Sequence, residues 1–443
     1  MAVSFRGGIH PGDRKADTKD KPIVWLSPSR LMVYPMSQHI GAPCKPIVSV
    51  GDHVNMGQKI GESDAFVSAP IHSSVSGTVV EIRPHRHPNG SMCEAVIIEN
   101  DYADTLEEGI RAYDDYDKLS REEKLARVRE AGIVGLGGAG FPTHIKLSPP
   151  PDKKVDCVII NGAECEPYLT SDHRVMLEMP ETVLDGLDII MDILGVDKGY
   201  VAIEENKPDA IERIKACLSD HPRATVVALK TKYPQGSEKQ LIEAVTGRQV
   251  PSGGLPADVG VVVNNIDTCT AVYNAVTHCQ PVMSRVVTVS GGAVNSPQNF
   301  RVRVGTPFAE VIEHAGGLKE NAAKVVMGGP MMGIAQFDLS VPVTKGTSAI
   351  LAFTQKEVAP KPYSPCIRCG ECVRKCPMHL MPLYLNAYAQ KGNLEMCLKY
   401  NIMDCIECGV CSYLCQCSNH PVQSIKIAKA KINAERRKQK GGQ

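Results

Sequence analysis

Eight cysteines fall into two copies of one eleven-residue pattern, Cys366-Ile-Arg-Cys369-Gly-Glu-Cys372-Val-Arg-Lys-Cys376 and Cys405-Ile-Glu-Cys408-Gly-Val-Cys411-Ser-Tyr-Leu-Cys415. C-x2-C-x2-C lets one tight loop bring three thiolates to a cubane, and in two-cluster proteins the fourth cysteine of each run ligates the other cluster. The spacing therefore predicts two [4Fe-4S] clusters, one on Cys366, Cys369, Cys372 and Cys415, the other on Cys405, Cys408, Cys411 and Cys376. Such centres move single electrons. Gly370 and Gly409 follow the second cysteine of each run, where the chain must turn and point N–H groups at sulfur. Pro377 completes the C-P ending of the first run, whereas the second continues as Cys415-Gln-Cys417 and keeps Cys417 open as the fourth ligand. Zinc knuckles do not call for an eight-cysteine repeat, and disulfides need an oxidising compartment. Cys44, Cys93, Cys157, Cys165, Cys217, Cys269, Cys279 and Cys397 are scattered singly and read as small buried thiols.

A second constellation lies upstream. Gly135-Leu-Gly-Gly-Ala-Gly-Phe-Pro-Thr-His-Ile-Lys146 packs four glycines into six residues. Such a loop brings backbone N–H groups close to a phosphate, and the lysine adds charge. Asn161-Gly-Ala-Glu164-Cys-Glu166-Pro167 follows an apolar run, and Gly253-Gly-Leu-Pro-Ala and Val263-Asn-Asn265 come later. Taken alone, Glu164 and Glu166 could be solvated carboxylates at a strand end. His144 and His173 are expected as surface or packing residues, and no side chain is assigned a catalytic role, because hydride chemistry belongs to cofactors.

Several elements must position these groups, and 443 residues allow about three or four of them as domains. The expected architecture is multidomain α/β and α+β. Residues 1–105 contain short strands, with Val-Gly-Asp-x-Val-x-x-Gly-Gln and Ala-Pro…Ser-Gly-Thr-Val resembling a lipoyl/biotinyl carrier sandwich; no lysine lies between Ile60 and Val80 to carry a swinging arm. Residues 118–282 alternate helical periods with β-branched runs, the pattern of an α/β layer with a largely parallel sheet. Residues 283–352, with an expected helix from Pro307 to Ala315, read as a small β-grasp-like module. A proline-rich linker over 352–365 leads to the two-cluster ferredoxin-like domain at 353–425. The tail, 426–443, holds seven basic residues between Lys426 and Lys440 and reads as a solvated, fraying end.

Forty-nine basic and 49 acidic residues balance, so no net field draws the chain to nucleic acid. The first residues lack the apolar core of a signal peptide, and no run approaches a membrane span. A cytosolic or peripheral location is expected.

The glycine loop, the Asn-x-x-Glu-x-Glu-Pro strand end and the Val-Asn-Asn segment, in this order, resemble the flavin- and NADH-binding subunit of respiratory complex I. That resemblance implies Gly135, Gly137, Gly138 and Lys146 at the FMN phosphate side, and Asn161, Glu164, Asn264 and Asn265 around the flavin. Phe141 and Glu166 would face the dinucleotide. Leu136 stands where that family has an arginine, Ala163 where it has an acid, and Tyr233 and Gly236 match its tyrosine-and-glycine turn loosely. Across nearly the whole chain, Phe5-Arg-Gly-Gly-Ile-His-Pro, the Gly135 loop and Pro365-Cys-Ile-Arg-Cys-Gly-Glu-Cys resemble the RnfC family, from Rnf ion-translocating electron transport complexes. The resemblance implies a peripheral protein at the cytoplasmic face of the membrane, passing electrons between NAD(H), FMN and two [4Fe-4S] clusters. Its partners would be the other membrane subunits of the Rnf complex and, indirectly, ferredoxin; the energy would move Na+ or H+ elsewhere in the complex. The alternatives are a soluble flavin and iron-sulfur NAD(P)H oxidoreductase component, or an electron-wire scaffold whose flavin site has decayed.

Overall fold

A computed structural model describes residues 2–359 and 362–441. The carrier-like region forms two facing sheets. Strands Leu31–Pro35, Met92–Asn100, Gly77–Arg86 and His53–Val54 make one, and Lys45–Pro46, Lys59–Glu62 and Ile71–His72 the other. Alternate residues turn inward, and Met32, Tyr34, Val54, Ile60, Ile71, Val96 and Ile98 fill the space between. Phe66, in the loop between Lys59–Glu62 and Ile71–His72 where a carrier would hold its lysine, is 81% exposed.

The glycine loop belongs to the next layer. Strands Ala224–Leu229, Gly199–Glu204, Cys157–Gly162 and Val261–Asn265 lie side by side in that order, all parallel. Their residues alternate between two cores: Val158, Ile160, Val201 and Ile203 pack on one face with helix Pro180–Leu194, and Cys157, Ile159, Ala202 and Val261 on the other. Gly186 lets Pro180–Leu194 press on helix Ile266–His278, since a Cβ there would lie 2.2 Å from the Cys269 carbonyl oxygen.

A mixed six-stranded sheet follows, in the order Ile23–Trp25, Gln298–Arg303, Ser284–Ser290, Ala349–Thr354, Ala322–Met327 and Ile334–Gln336. Helix Phe308–His314 covers it within the span expected for a helix. Its first strand comes from the N-terminal region, pairing parallel with Gln298–Arg303. Residues 2–25 therefore do not belong to the sandwich. Val3 and Ile9 bridge to Leu229 and Tyr233 of the α/β layer before the chain reaches the six-stranded sheet.

The cysteine module consists of short helices and loops closed by one long helix, Pro421–Gly441. This corrects the reading of the tail as a fraying end: Ile425, Ala428 and Ile432 are buried against Leu385, Cys397 and Ile402. Apolar residues three or four apart put one face of the helix in the core while the lysines stay outside. In the proline-rich linker, strand Ala349–Thr354 occupies the start, residues 362–365 have no regular structure, and Pro360 and Lys361 lie outside the described residues. Among the described residues no helix is long and apolar enough to cross a membrane.

Candidate electron-transfer site

Two cavities take up the repeat cysteines. Cys376, Cys405, Cys408 and Cys411 line one, so the last cysteine of the first run joins the first three of the second. Cys366, Cys369, Cys372 and Cys415 line the other, and Cys417 lines it too. Gly370 and Gly409 adopt φ of +77° and +79°, which turn each loop back on itself. Burial, then the company of Cys405, Cys408 and Cys376, pushes the Cys411 thiol up. Backbone N–H groups of Met378, His379 and Leu380 face the Cys376 sulfur, and that of Val410 faces Cys408. Crowded thiols with N–H donors behind them fit cubanes, which need four thiolates and are tuned by such donors. Among the described residues no group of three or more His, Cys, Asp or Glu is spaced for a single metal ion.

The glycine loop opens onto a cleft of about 250 Å³ at the carboxyl ends of the parallel strands, the usual place for ligands in such sheets. Gly137, Gly138, Asn161, Glu164, Glu166 and Asn265 line it. Gly137 must lack a side chain because a Cβ would lie 2.4 Å from the Asn265 amide nitrogen, whereas Gly138 faces open space. Bare backbone beside open space fits a bulky planar ligand.

Hydrogen bonds fix the polar wall. Asn161 donates to the Gly236 carbonyl at 2.7 Å, and Asn265 donates to the Asp172 carboxylate at 2.6 Å while accepting from Asp267 N–H at 2.9 Å. The Glu164 carboxylate accepts from Asp172 N–H at 2.7 Å, and its side chain is 3% exposed. Glu166 accepts from Met331 and Met332 N–H, each at 3.0 Å. Neither glutamate is solvated, contrary to the simplest reading of the sequence. Burial drives the Glu166 carboxyl up to about 7. Burial, then Glu164 and Asp267, does the same to Asp172, also to about 7.

The remaining site residues named from sequence sit outside the cleft lining. Gly135 N–H closes the loop on the Phe141 carbonyl at 2.9 Å, leaving the Phe141 ring 36% exposed at its edge. Lys146 is held by Glu238 at 2.7 Å and the Val263 carbonyl at 2.5 Å. Asn264 is buried, and its amide nitrogen has no protein partner among the described residues. His173 is buried against Asp209 at 2.9 Å, and burial holds His144 down to about 4, so both are packing residues.

Two important groups carried no sequence signal. Lys15 reaches in from the N-terminal segment, donating to the Glu164 and Glu166 carbonyls at 2.9 and 3.1 Å and to that of Leu169. Arg285, from the six-stranded sheet, pairs with Asp267 at 2.8 Å and donates to the Leu136 carbonyl at 2.8 Å. It brings a guanidinium to the backbone of the position where the complex I family has its own arginine.

The three cavities share walls. Ile406 and Cys408 line both the cleft and the Cys376 cavity, and Cys411 lines both cysteine cavities.

Known proteins agree with this layout. Residues 3–103 match an RnfC barrel sandwich hybrid domain, 128–274 a Nuo51 FMN-binding domain, and 286–335 an SLBB domain. In fold, the chain is similar to a chain of an NAD+-reducing [NiFe]-hydrogenase in its H2-reduced state, with TM-score 0.50 and 20% identity. The match covers 71% of this chain and 63% of that one, less than two thirds of its length. The RnfC-type component of the proton-translocating ferredoxin:NAD(+) oxidoreductase complex of Clostridium ljungdahlii is 52% identical over 91% of this chain and 88% of its own. Its counterpart in the Na(+)-translocating complex of Acetobacterium woodii is 48% identical over 98% of both. Carrying the barrel sandwich, the FMN-type layer and the SLBB module in the same order, the chain belongs to the RnfC family of ion-translocating ferredoxin:NAD(+) oxidoreductase complexes.

Proposed function

We propose that this chain is the NAD(H)-facing component of a membrane-bound, ion-translocating electron transport complex. It links NAD(H) in the cleft to two [4Fe-4S] clusters and, through other subunits, to ferredoxin. FMN, held by the glycine loop, Asn161, Glu164 and Asn265, supplies the exchange between a two-electron hydride and single electrons when bound. Cys376, Cys405, Cys408 and Cys411 hold one cluster; Cys366, Cys369, Cys372 and Cys415 hold the other. The observation that carries the reading is the shared wall: Cys408 borders both the cleft and a four-cysteine cavity. Protein residues here bind, orient and exclude water. Met331 and Met332, clamped to Glu166, close the cleft against the six-stranded sheet. Cys366 and Cys369 are exposed, so their cluster faces the outgoing partner. With no candidate span among its described residues, the chain docks peripherally, at the cytoplasmic face.

Anaerobic purification tests this directly. Denaturation should release one FMN, and NADH should bleach the iron-sulfur absorbance; a preparation without flavin or bleaching would defeat the enzymatic reading. Recovery only in the soluble fraction at low salt would defeat the membrane assignment.

A further inference from the structure

Tyr233 stands where the cleft meets the cluster module. It lines the cleft, it is 1% exposed, and its hydroxyl donates to the Cys408 carbonyl at 2.7 Å. This bond joins the α/β layer to the loop of a cluster ligand 175 positions away. The contact is held from every side. Ile9 exchanges two backbone hydrogen bonds with Tyr233, at 2.9 and 2.8 Å. Gly8 approaches so closely that a Cβ would lie 2.6 Å from the Tyr233 carbonyl oxygen, and Gly7 lies similarly tight on the Cys376 carbonyl, at 2.9 Å. Gly409 presses on the Met331 carbonyl at 2.7 Å by the same measure. Ile9, Tyr233, Cys408 and Val410 form one buried apolar cluster, so the hydroxyl cannot exchange the carbonyl for water without breaking that packing.

A carbonyl next to a cluster ligand points the negative end of its dipole into a region of low dielectric. A donor that ties up its oxygen makes an added electron easier to accommodate on the cluster. No corresponding contact is found, among the described residues, at the other set, whose Cys366 and Cys369 are exposed.

We propose that Tyr233 is a positioning residue for electron exchange between the cleft and the cluster on Cys376, Cys405, Cys408 and Cys411, setting that cluster's potential through the Cys408 carbonyl. The inference rests on the functional reading above and makes this cluster the first to exchange electrons with the cleft. One electron crosses per event. Tyr233 itself gains and loses neither an electron nor a proton.

The test is Tyr233→Phe, which keeps the ring and removes the hydroxyl. Parent and variant, purified anaerobically, are assayed for flavin and iron and titrated redox-potentiometrically by electron paramagnetic resonance; the clusters are told apart by which signal is missing from Cys369→Ala. The expected result is unchanged flavin and iron, with the second cluster's midpoint lowered by the equivalent of an about fivefold change in its reduction equilibrium, the worth of one neutral hydrogen bond. The other cluster's midpoint should stay where it was. Unchanged midpoints with full cofactor content overturn the proposal, as does a shift confined to the other cluster. Loss of the second cluster from the Phe variant also overturns it, because the hydroxyl would then hold the fold rather than the potential. A parent without flavin would instead defeat the functional reading, which separates the two failures.

Discussion

Asp172 is buried beside Glu164 and Asp267, with Lys15 and Arg285 as nearby cations. Its carboxyl is raised to about 7 by burial first and by those two acids second. Below about pH 4 the group is protonated in folded and unfolded chains alike. As pH rises, the unfolded chain releases its proton first, so folding loses stability until the folded group ionises near pH 7, and no further. Asp172→Asn should therefore raise thermal stability relative to the parent at pH 8, by on the order of 2 kcal/mol, with the gain fading towards pH 4. Scanning calorimetry across that range checks it; a gain independent of pH would rule the mechanism out. Lys15→Met removes the cation from a pair whose side chains are 5% and 3% exposed, and leaves carbonyls without a donor. We expect a loss of about 3 kcal/mol and weaker retention of flavin on gel filtration.

The long C-terminal helix shows how an element can carry two functions on two faces. Ile425 and Ile432 sit in the core of the cysteine module, while Lys429 donates to the Cys405 carbonyl at 2.7 Å and pairs with Glu407 at 2.6 Å. Ile425→Ala should cost about 3 kcal/mol, the usual range for emptying a fully buried site. Chemical denaturation followed through the iron-sulfur absorbance would report it, and a midpoint unchanged from the parent would refute the packing role. Composition alone, seven basic residues in fifteen, described the solvent face and concealed the buried one. The sandwich was easier to read. Its alternation and turn residues are local, and so was the lack of a lysine between Ile60 and Val80.

At the scale of the whole molecule, the cavities form a line: the cleft meets the Cys376 cavity at Cys408, and that cavity meets the other cysteine set at Cys411. Cys369→Ala should reduce iron from two cubanes to about one while NADH still bleaches the remaining absorbance. Retention of both by iron analysis would refute the ligand assignment. Loss of NADH-driven bleaching would show that electrons enter through the exposed cluster instead.

The chemistry of this protein was largely written in local spacing. C-x2-C-x2-C-x3-C and the glycine loop are constraints of a single turn, so residue type and interval were enough to name cubanes and a flavin site. Helix Phe308–His314 and the parallel strands likewise followed from short-range periodicity. What only the tertiary structure decided were the contacts that close over long sequence distances. Lys15 meets Glu164 across 149 positions, Arg285 meets the Leu136 carbonyl across 149, and Tyr233 meets the Cys408 carbonyl across 175. None of these residues stands in a periodic pattern, because each serves a partner brought close by the packing of separate modules. The repeat cysteines supply the clusters' ligands; the folding of the N-terminal segment, the α/β layer and the six-stranded sheet around Cys408 decides which cluster meets the cleft.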